Sequence, residues 1–326
     1  MELDEFLARA FPRTAKSVLR QLVRSGRVLV DGGAARPSTR LHSDDVVSLD
    51  FDEEEFESKA PVADAEPLAI LYEDEHVLAL DKPAALAVEP DRWDPTRPSL
   101  LGSLHALAET RVDGSAGAPA AAEPFRPRIV HRLDKETSGV VLVAKTIEAE
   151  RALGAGFENS DVRKTYLALV EGEHPVADGE HEIIDLPLGP DERRSGIVCV
   201  RRDGKEARTR IGVERRFRGY TLLRCEPLTG RTHQIRVHLA ASGFPLAVDP
   251  NYGRRRALAL SEIKPDYRFK PGRVETPLIE RLTLHALAIE FARVGGGGAR
   301  VRVEAPLPRD FERVLKQLAK VRPPRR

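Results

Sequence analysis

Apolar positions along this 326-residue chain change period several times, and each change marks an element. Near the N-terminus, Leu19, Leu22 and Val23 make an apolar stripe at helical spacing. Arg13, Lys16, Arg20, Arg24 and Arg27 recur every three or four residues and share a face of the same helix. Gly26 stops that helix, Val28-Leu-Val30 reads as a strand, Asp31-Gly32 as a hairpin turn, and Asp44-Asp45 before Val46-Val47 as the next hairpin entry. Ile70 to Leu80 is strand, turn, strand, and Ser99 to Ala108 is a short helix. Val140-Val-Leu-Val143 is a buried strand, and Ile147 to Phe157 has the spacing of a helix packed on a sheet. Ala207 to Phe217 and Thr221 to Leu228 alternate and form a hairpin through Arg218-Gly219-Tyr220. A helix opens from Thr229-Gly-Arg-Thr-His-Gln234 and reaches Ser242, with Gly243 as its stop. Gly295 to Gly298 is a hairpin turn with no helix after it, so it cradles no phosphate. Together these elements predict an α+β chain on a mixed, largely antiparallel sheet.

The length favours one large domain plus an accessory module. Residues 1–50 form the module, 51–66 an acidic linker and 67–326 the main domain. The linker rests on Asp52-Glu-Glu-Glu55, Glu57, Asp64 and Glu66, a solvated acidic stretch containing Pro61, and it leaves the module free to swing. Arg111 to Pro124, rich in Ala, Gly and Pro and without periodicity, reads as a flexible surface loop. An apolar share of 41% suffices for a core. Cys199 and Cys225 make neither a disulfide framework nor a zinc pattern, which points to a reducing cytoplasm. No apolar run is of bilayer length and no signal-peptide pattern opens the chain, so a soluble, unexported protein is expected.

One acid stands out. Asp134 lies in Pro127-Arg-Ile-Val-His-Arg-Leu-Asp-Lys-Glu-Thr-Ser-Gly139, between basic and apolar neighbours, at the mouth of the buried strand. Arg132 can restrain its carboxylate, and Thr137, Ser138 and Gly139 supply a tight turn back into the core. Such a carboxylate is a nucleophile candidate; an isolated Arg-x-Asp would more often be a turn cap paired with its arginine.

The segment His131-Arg-Leu-Asp-x-x-Thr-Ser-Gly139 resembles the active-site signature of the RluA family of pseudouridine synthases. So do Lys164-Thr-Tyr-Leu-Ala-Leu-Val-Glu-Gly172, Gly204-Lys205 with Ala207 and Thr209, Gly230-Arg-Thr-His-Gln-Ile-Arg-Val-His238, Asp249 with Tyr252-Gly253, and Leu284-His-Ala286, in the family's order. The resemblance runs from about Leu68 to Phe291. The opening Leu3-Asp4 to Phe6-Leu7, the centre Gly26-x-Val28-x-Val30-Asp31-Gly32 and the close Asp45-x-Val47 resemble the S4-type RNA-binding domain. Family members commonly carry Gly and then His where this chain has Ala85 and Glu89. Those departures bear on the loop after Asp81-Lys82-Pro83.

The resemblance implies an enzyme that isomerises specific uridines in RNA, without a cofactor, on a flipped-out base. It makes Asp134 the catalyst, Tyr166 the ring against the base and an aid to proton transfer, and Arg236 the ion-pair partner of Asp134. It implies substrate contacts from Arg132, Arg231, His233 and Leu284. Read from spacing alone, Tyr166 is a half-buried strand aromatic, and Arg231 and Arg236 are equal anion-handling candidates. The expected partner is RNA, ribosomal rather than transfer, bound by a monomer. Net charge is only +1, from 52 basic and 51 acidic residues. Phosphate binding depends on where the charges sit, however. The arginine face of the module, Arg254, Arg255 and Arg256, and the loop through Lys264, Arg268, Lys270 and Arg273 are the expected RNA contacts; the basic ending from Lys316 to Arg326 is either a phosphate-contacting tail or frayed.

Two rival readings remain at this stage. A glycoside hydrolase also breaks an anomeric bond with a carboxylate but needs a second acid, and Glu136 is expected to project away from Asp134. A non-catalytic RNA-binding or ribosome-assembly factor would keep the fold without the reaction. No metal is expected: His131, His233, His238 and His285 lack ligand spacing and a carboxylate or thiolate among them.

Overall fold

The computed structural model describes residues 1–11, 16–50, 68–90, 97–112, 125–269, 272 and 274–324. The expected acidic linker and most of the Ala/Gly/Pro-rich loop, with Arg13, Lys270 and Arg273, lie outside the described residues.

The first compact unit comprises Met1–Ala65 and Pro90–Arg126. Helix α1 (Leu3–Ala10) and α2 (Lys16–Arg24) pack on a three-stranded antiparallel sheet ordered β2 (Gly33–Ala34), β1 (Val28–Val30), β3 (Val47–Leu49). Leu3, Leu7, Leu19, Leu22, Val23 and Val28 form its core, so the apolar stripe read from the sequence is the buried face. Asp31 and Gly32 both have positive φ, 51° and 74°, as a tight hairpin turn requires. The Asp31 carboxylate then accepts the Val46 N–H at 2.9 Å and fixes the third strand's entry. Helix α3 (Leu100–Val112) clusters with this unit, and Arg126 donates to the Ala8 carbonyl at 2.8 Å.

The second unit, Glu66–Glu89 with Pro127–Arg326, is built on a ten-stranded mixed sheet. Its strands are β4 (Ala69–Glu73), β5 (Val77–Lys82), β7 (Ser138–Ala144), β14 (Leu284–Ala292), β8 (Arg163–Glu171), β13 (Tyr220–Pro227), β12 (Arg208–Phe217) and β9 (His181–Asp185), in that spatial order. The short β6 (Arg128–Ile129) pairs with β7, and β15 (Arg300–Glu304) pairs with β14. Every pairing is antiparallel except β7 with β14. A separate hairpin, β10 (Leu188–Pro190) and β11 (Val198–Val200), stands beside it. The strand, turn, strand expected from Ile70 to Leu80 is β4 and β5, and the expected hairpin is β12 and β13.

All seven residues of β7 are buried, which is why that segment reads as an unbroken apolar run. Strand β8 alternates instead. Leu167 and Leu169 meet one core, with Phe311, Val314, Leu315 and Leu318 of α7 (Arg309–Val321); Tyr166, Ala168 and Val170 meet another, with Ile235 and Leu239 of α5 (Gln234–Ala241). Helix α4 (Ile147–Glu158) covers β7 through Ala149 and Leu153, its first turn capped by the Thr146 hydroxyl accepting the Ala149 N–H. Between these layers, α6 (Leu260–Ile263) buries Ile263 against α7's core.

Candidate active site

Four backbone features bring the site together. Asp134 sits in the turn entering β7, where the Thr137 N–H donates to the Asp134 carbonyl at 3.0 Å. Gly139 follows with φ 115°, and a Cβ there would lie 2.1 Å from the Ala286 carbonyl oxygen. Only glycine permits β7 to run that close to β14. Tyr166 projects from β8 toward α5. Residues 230–233 form a turn before α5, which starts later than its sequence pattern predicts. The cause is Gln234, whose amide oxygen accepts from the Thr229 hydroxyl and the Arg231 N–H, and whose nitrogen donates to the Arg208 carbonyl and Thr209. His233 takes the strained left-handed conformation at φ 55°.

Arg236 then spans two carboxylates. Its Nη1 donates to Asp134 Oδ2 at 2.8 Å, while Nε and Nη2 form a fork on Asp249 at 2.8 and 2.9 Å. Asp249 is wholly buried, whereas the Asp134 side chain stays 24% exposed and open to substrate. Burial opposes the Arg236 charge, but Asp249 and Asp134 outweigh it and hold its pKa above the ordinary value. Asp249 also accepts the Asn251 and Tyr252 N–H groups, so the fork is rigidly aimed.

A second relay approaches the other oxygen. The Val198 N–H donates to the Tyr252 hydroxyl at 3.0 Å, and Tyr252 lies 2.8 Å from His233 Nδ1. Burial raises the Tyr252 pKa, so the phenol keeps its proton and donates it to Nδ1. His233, whose pKa burial lowers, is then the neutral tautomer with N–H on Nε2, which faces Asp134 Oδ1 at 3.8 Å. The Arg236 guanidinium also stacks over the Tyr252 ring, 4.9 Å from its centroid.

Beneath the carboxylate lies Lys82, fully buried. Its Nζ donates to the carbonyls of Pro83, Leu86 and Lys135 at 2.8, 2.8 and 3.0 Å, tying the loop after β5 to the Asp134 turn. Burial pulls its pKa down to about 7, against the opposite pull of Glu136 and Asp134. Glu136 is half-buried and faces this lysine, not solvent as expected. Ser138 Oγ is 2.9 Å from His285 Nδ1 and accepts from Arg281, which forks onto Asp310. Burial pushes His285 down to about 4, and both Ser138 and His285 are enclosed, so the pair braces the turn and is no hydrolase dyad.

Tyr166 has its pKa raised by burial and by the nearby Asp134 charge. Both causes favour the protonated phenol. Leu284 is buried beside Tyr166 in the same core. Arg231 is exposed, its Nε donating to the Glu206 carbonyl at 2.9 Å. Among the described residues Arg132 makes no hydrogen bond or ion pair to Asp134; it is exposed and lies 4.0 Å from Glu89.

Of the expected RNA contacts, Arg24 and Arg254 are exposed, as are Lys264 and Arg268. Arg20 is bound to Asp4 at 2.8 Å and Arg27 donates to the Asp50 carbonyl at 2.7 Å. Lys16 lies on α2, with Arg20 and Arg24 one and two turns along. Arg255 is held between Glu171 and Glu262. His131 accepts the Leu142 N–H, and His238 lies between Thr209 and the Leu186 carbonyl, so both are engaged within the fold. Among the described residues no group of His, Cys, Asp and Glu could hold a metal. Sequence reasoning gave no role to Lys82, Asp249 or Tyr252. Asp249 carried a usable signal, an acid closing the apolar run Pro245-Leu-Ala-Val248, much as Asp134 opens one.

Residues 76–241 match the family model described as RNA pseudouridylate synthase. The chain belongs to that family. Residues 1–47 match the S4 domain. The synthase is 38% identical over 320 residues to ribosomal large subunit pseudouridine synthase D of Xanthomonas campestris, covering 97% of this chain and 88% of that one. It is 35% identical over 329 residues to ribosomal large subunit pseudouridine synthase C of Escherichia coli, covering 98% and 93%. Among solved structures it resembles human RNA pseudouridylate synthase domain containing 4, with a TM-score of 0.54 at 23% identity over 77% of this chain and 92% of that one. Human RNA pseudouridylate synthase domain containing 1 gives 0.51 at 24%, over 74% and 84%. The α+β fold and the RluA-type resemblance are both borne out, and the enzyme reading displaces the glycoside hydrolase and the non-catalytic factor. No described helix is long and apolar enough to cross a membrane.

Proposed function

We propose that this synthase isomerises uridine in large-subunit ribosomal RNA, with Asp134 as the catalytic carboxylate. The observation that carries the reading is the 2.8 Å pair between Asp134 and a buried arginine, with the carboxylate still partly exposed. The target nucleotide is extruded, and its base lies against Tyr166, which offsets part of the unstacking cost. Asp134 attacks the anomeric carbon or removes a sugar proton. Either route breaks the bond from N1 to C1′, after which uracil rotates and C5 joins C1′. N1 ends with a proton and C5 loses one, so the substrate supplies every atom and no cofactor takes part. The C5 proton leaves to a base, for which Tyr166 or a water is available.

Arg236 holds one carboxylate oxygen at 2.8 Å before substrate arrives, while His233 Nε2 faces the other at 3.8 Å; the first contact is preorganisation of the kind that lowers barriers. Arg132, Arg231 and Leu284 border the nucleotide. The S4 module, through Arg24 on α2, and the exposed Arg254 add phosphate contacts. The ribosomal target rests on the printed names of the relatives, and the protein works as a monomer in the cytoplasm.

The test is replacement of Asp134 by Asn or Ala. Pseudouridine formation should fall by roughly a thousandfold or more, while affinity for unmodified large-subunit ribosomal RNA stays within about twofold. Mapping pseudouridines in cells with and without the gene supplies the target. Sites that vanish only from transfer RNA would sink the ribosomal assignment.

A further inference from the structure

Lys164 is a half-buried cation of the synthase domain, and no ion pair is found for it among the described residues. It sits two positions before Tyr166 on β8 and therefore on the same face, roughly 6.6 Å along the strand. Its ammonium lies 3.9 Å from where a Cβ on Gly230 would stand, which places it beside the turn that precedes α5. The Phe157 ring centroid is 5.8 Å away on another side. Burial lowers its pKa, with no carboxylate acting in the other direction. It bears on His131 as a neighbouring positive charge, and His131 leads into the Asp134 turn. Lys164 thus stands between the two chain segments that carry Asp134 and Arg236.

Other cations nearby are satisfied. Arg236 has two carboxylates, Arg255 has two, and Lys82 has three carbonyls. Desolvating an ammonium without compensation is costly, and the Phe157 ring at nearly 6 Å returns little of that cost. A fold retains such a group where a ligand supplies the missing charge. The ligand must be anionic, must reach the Gly230 turn, and must belong to a molecule whose base lies one pleat away on Tyr166. A nucleotide's own phosphodiester meets all three conditions.

We infer that Lys164 is a phosphate subsite of the active site, pairing with a backbone phosphodiester of the RNA next to the uridine held at Tyr166. The inference rests on the assignment of the nucleotide to Tyr166, but not on which RNA is the natural target. Lys164 acts as a positioning residue: it places the sugar before Asp134 and exchanges no proton. It contributes to binding and leaves the chemical step to Asp134.

The experiment compares wild type, Lys164→Met and Lys164→Arg, using short poly(U) strands and unmodified large-subunit ribosomal RNA transcripts. For Met, the poly(U) Kd and the KM on ribosomal RNA should rise about tenfold, with kcat within twofold. The slope of log K against log salt should become shallower by about 0.7, the share of one single-strand phosphate. Arg should restore that slope. Thermal unfolding of the Met variant should occur no lower than wild type, because the buried charge has gone. An unchanged poly(U) Kd and salt slope, or a fall in kcat alone, overturns the proposal, as does a lowered Tm with RNA binding intact. Because poly(U) carries the same phosphates as any RNA, a mistaken ribosomal target would show only in the transcript arm.

Discussion

Ala85 holds its backbone at φ 67°, the left-handed region in which a Cβ crowds the following carbonyl. The conformation is imposed from outside, since Lys82 Nζ grips the carbonyls of Pro83 and Leu86 on either side. Glycine is the residue that the family resemblance leads one to expect here, and it adopts this conformation freely. Ala85→Gly should therefore raise stability by roughly 0.5–1 kcal/mol, the left-handed penalty outweighing glycine's extra chain entropy. Urea unfolding would measure it, and a loss of stability would mean that the alanine methyl packs usefully. Asp134 was legible as a site residue because its neighbours in sequence are its neighbours in space. Its partner was legible only through the family resemblance, which pointed to Arg236: Arg132 stands two residues away and lies near Glu89, while the guanidinium that binds Asp134 comes from 102 residues downstream. Arg255 illustrates the same limit, as its availability depends on Glu171, which no local pattern places beside it.

Strand β7 shows what an element contributes. Its apolar run was readable because both faces are covered, but the run does not say which strand lies alongside. That neighbour is β14, paired in parallel through Ser138 with His285 and Gly139 with Ala286. Gly139→Ala would set a methyl 2.1 Å from the Ala286 carbonyl, at a φ of 115° that alanine avoids. The strands must separate or the turn before them must move, so we expect a loss of about 3 kcal/mol or more and loss of activity. Circular dichroism melts of the purified variant check this; a melt within about 1 kcal/mol of wild type would show that the turn relaxes easily. The start of α5 was the element boundary read least well. Its first turn is replaced by side-chain bonds from Gln234, a tertiary effect that helix periodicity does not register.

For the whole molecule, stability depends on pH through Lys82. Its pKa falls from 10.5 in an unfolded chain to about 7 in the fold, so between those values the unfolded state binds more protons. Stability then rises with pH across that window, and the penalty for burying the ammonium is greatest below about pH 7. Lys82→Met removes the titration together with three hydrogen bonds. The stability of wild type relative to the variant should accordingly grow from pH 7 towards 10, as measured by urea unfolding at a series of pH values; a constant difference would mean that the lysine keeps its proton throughout. Domain layout was partly legible. The N-terminal module and the synthase body both follow their composition, but α3, which lies between synthase motifs in sequence, clusters with the first unit. Nothing in its apolar spacing says which core it joins.

The position of β14 has a consequence for biosynthesis. It is the strand that joins the β4-β5-β7 half of the sheet to the β8-β13-β12-β9 half, and among the described strands of that sheet all but β15 are translated before it. Until residue 292 has left the ribosome, the halves bearing Asp134 and Arg236 have no strand between them and each presents an open edge. The newborn chain should thus be catalytically silent for most of its synthesis. Messages cut short before that point would yield inert fragments prone to aggregation or proteolysis, never a partially active enzyme.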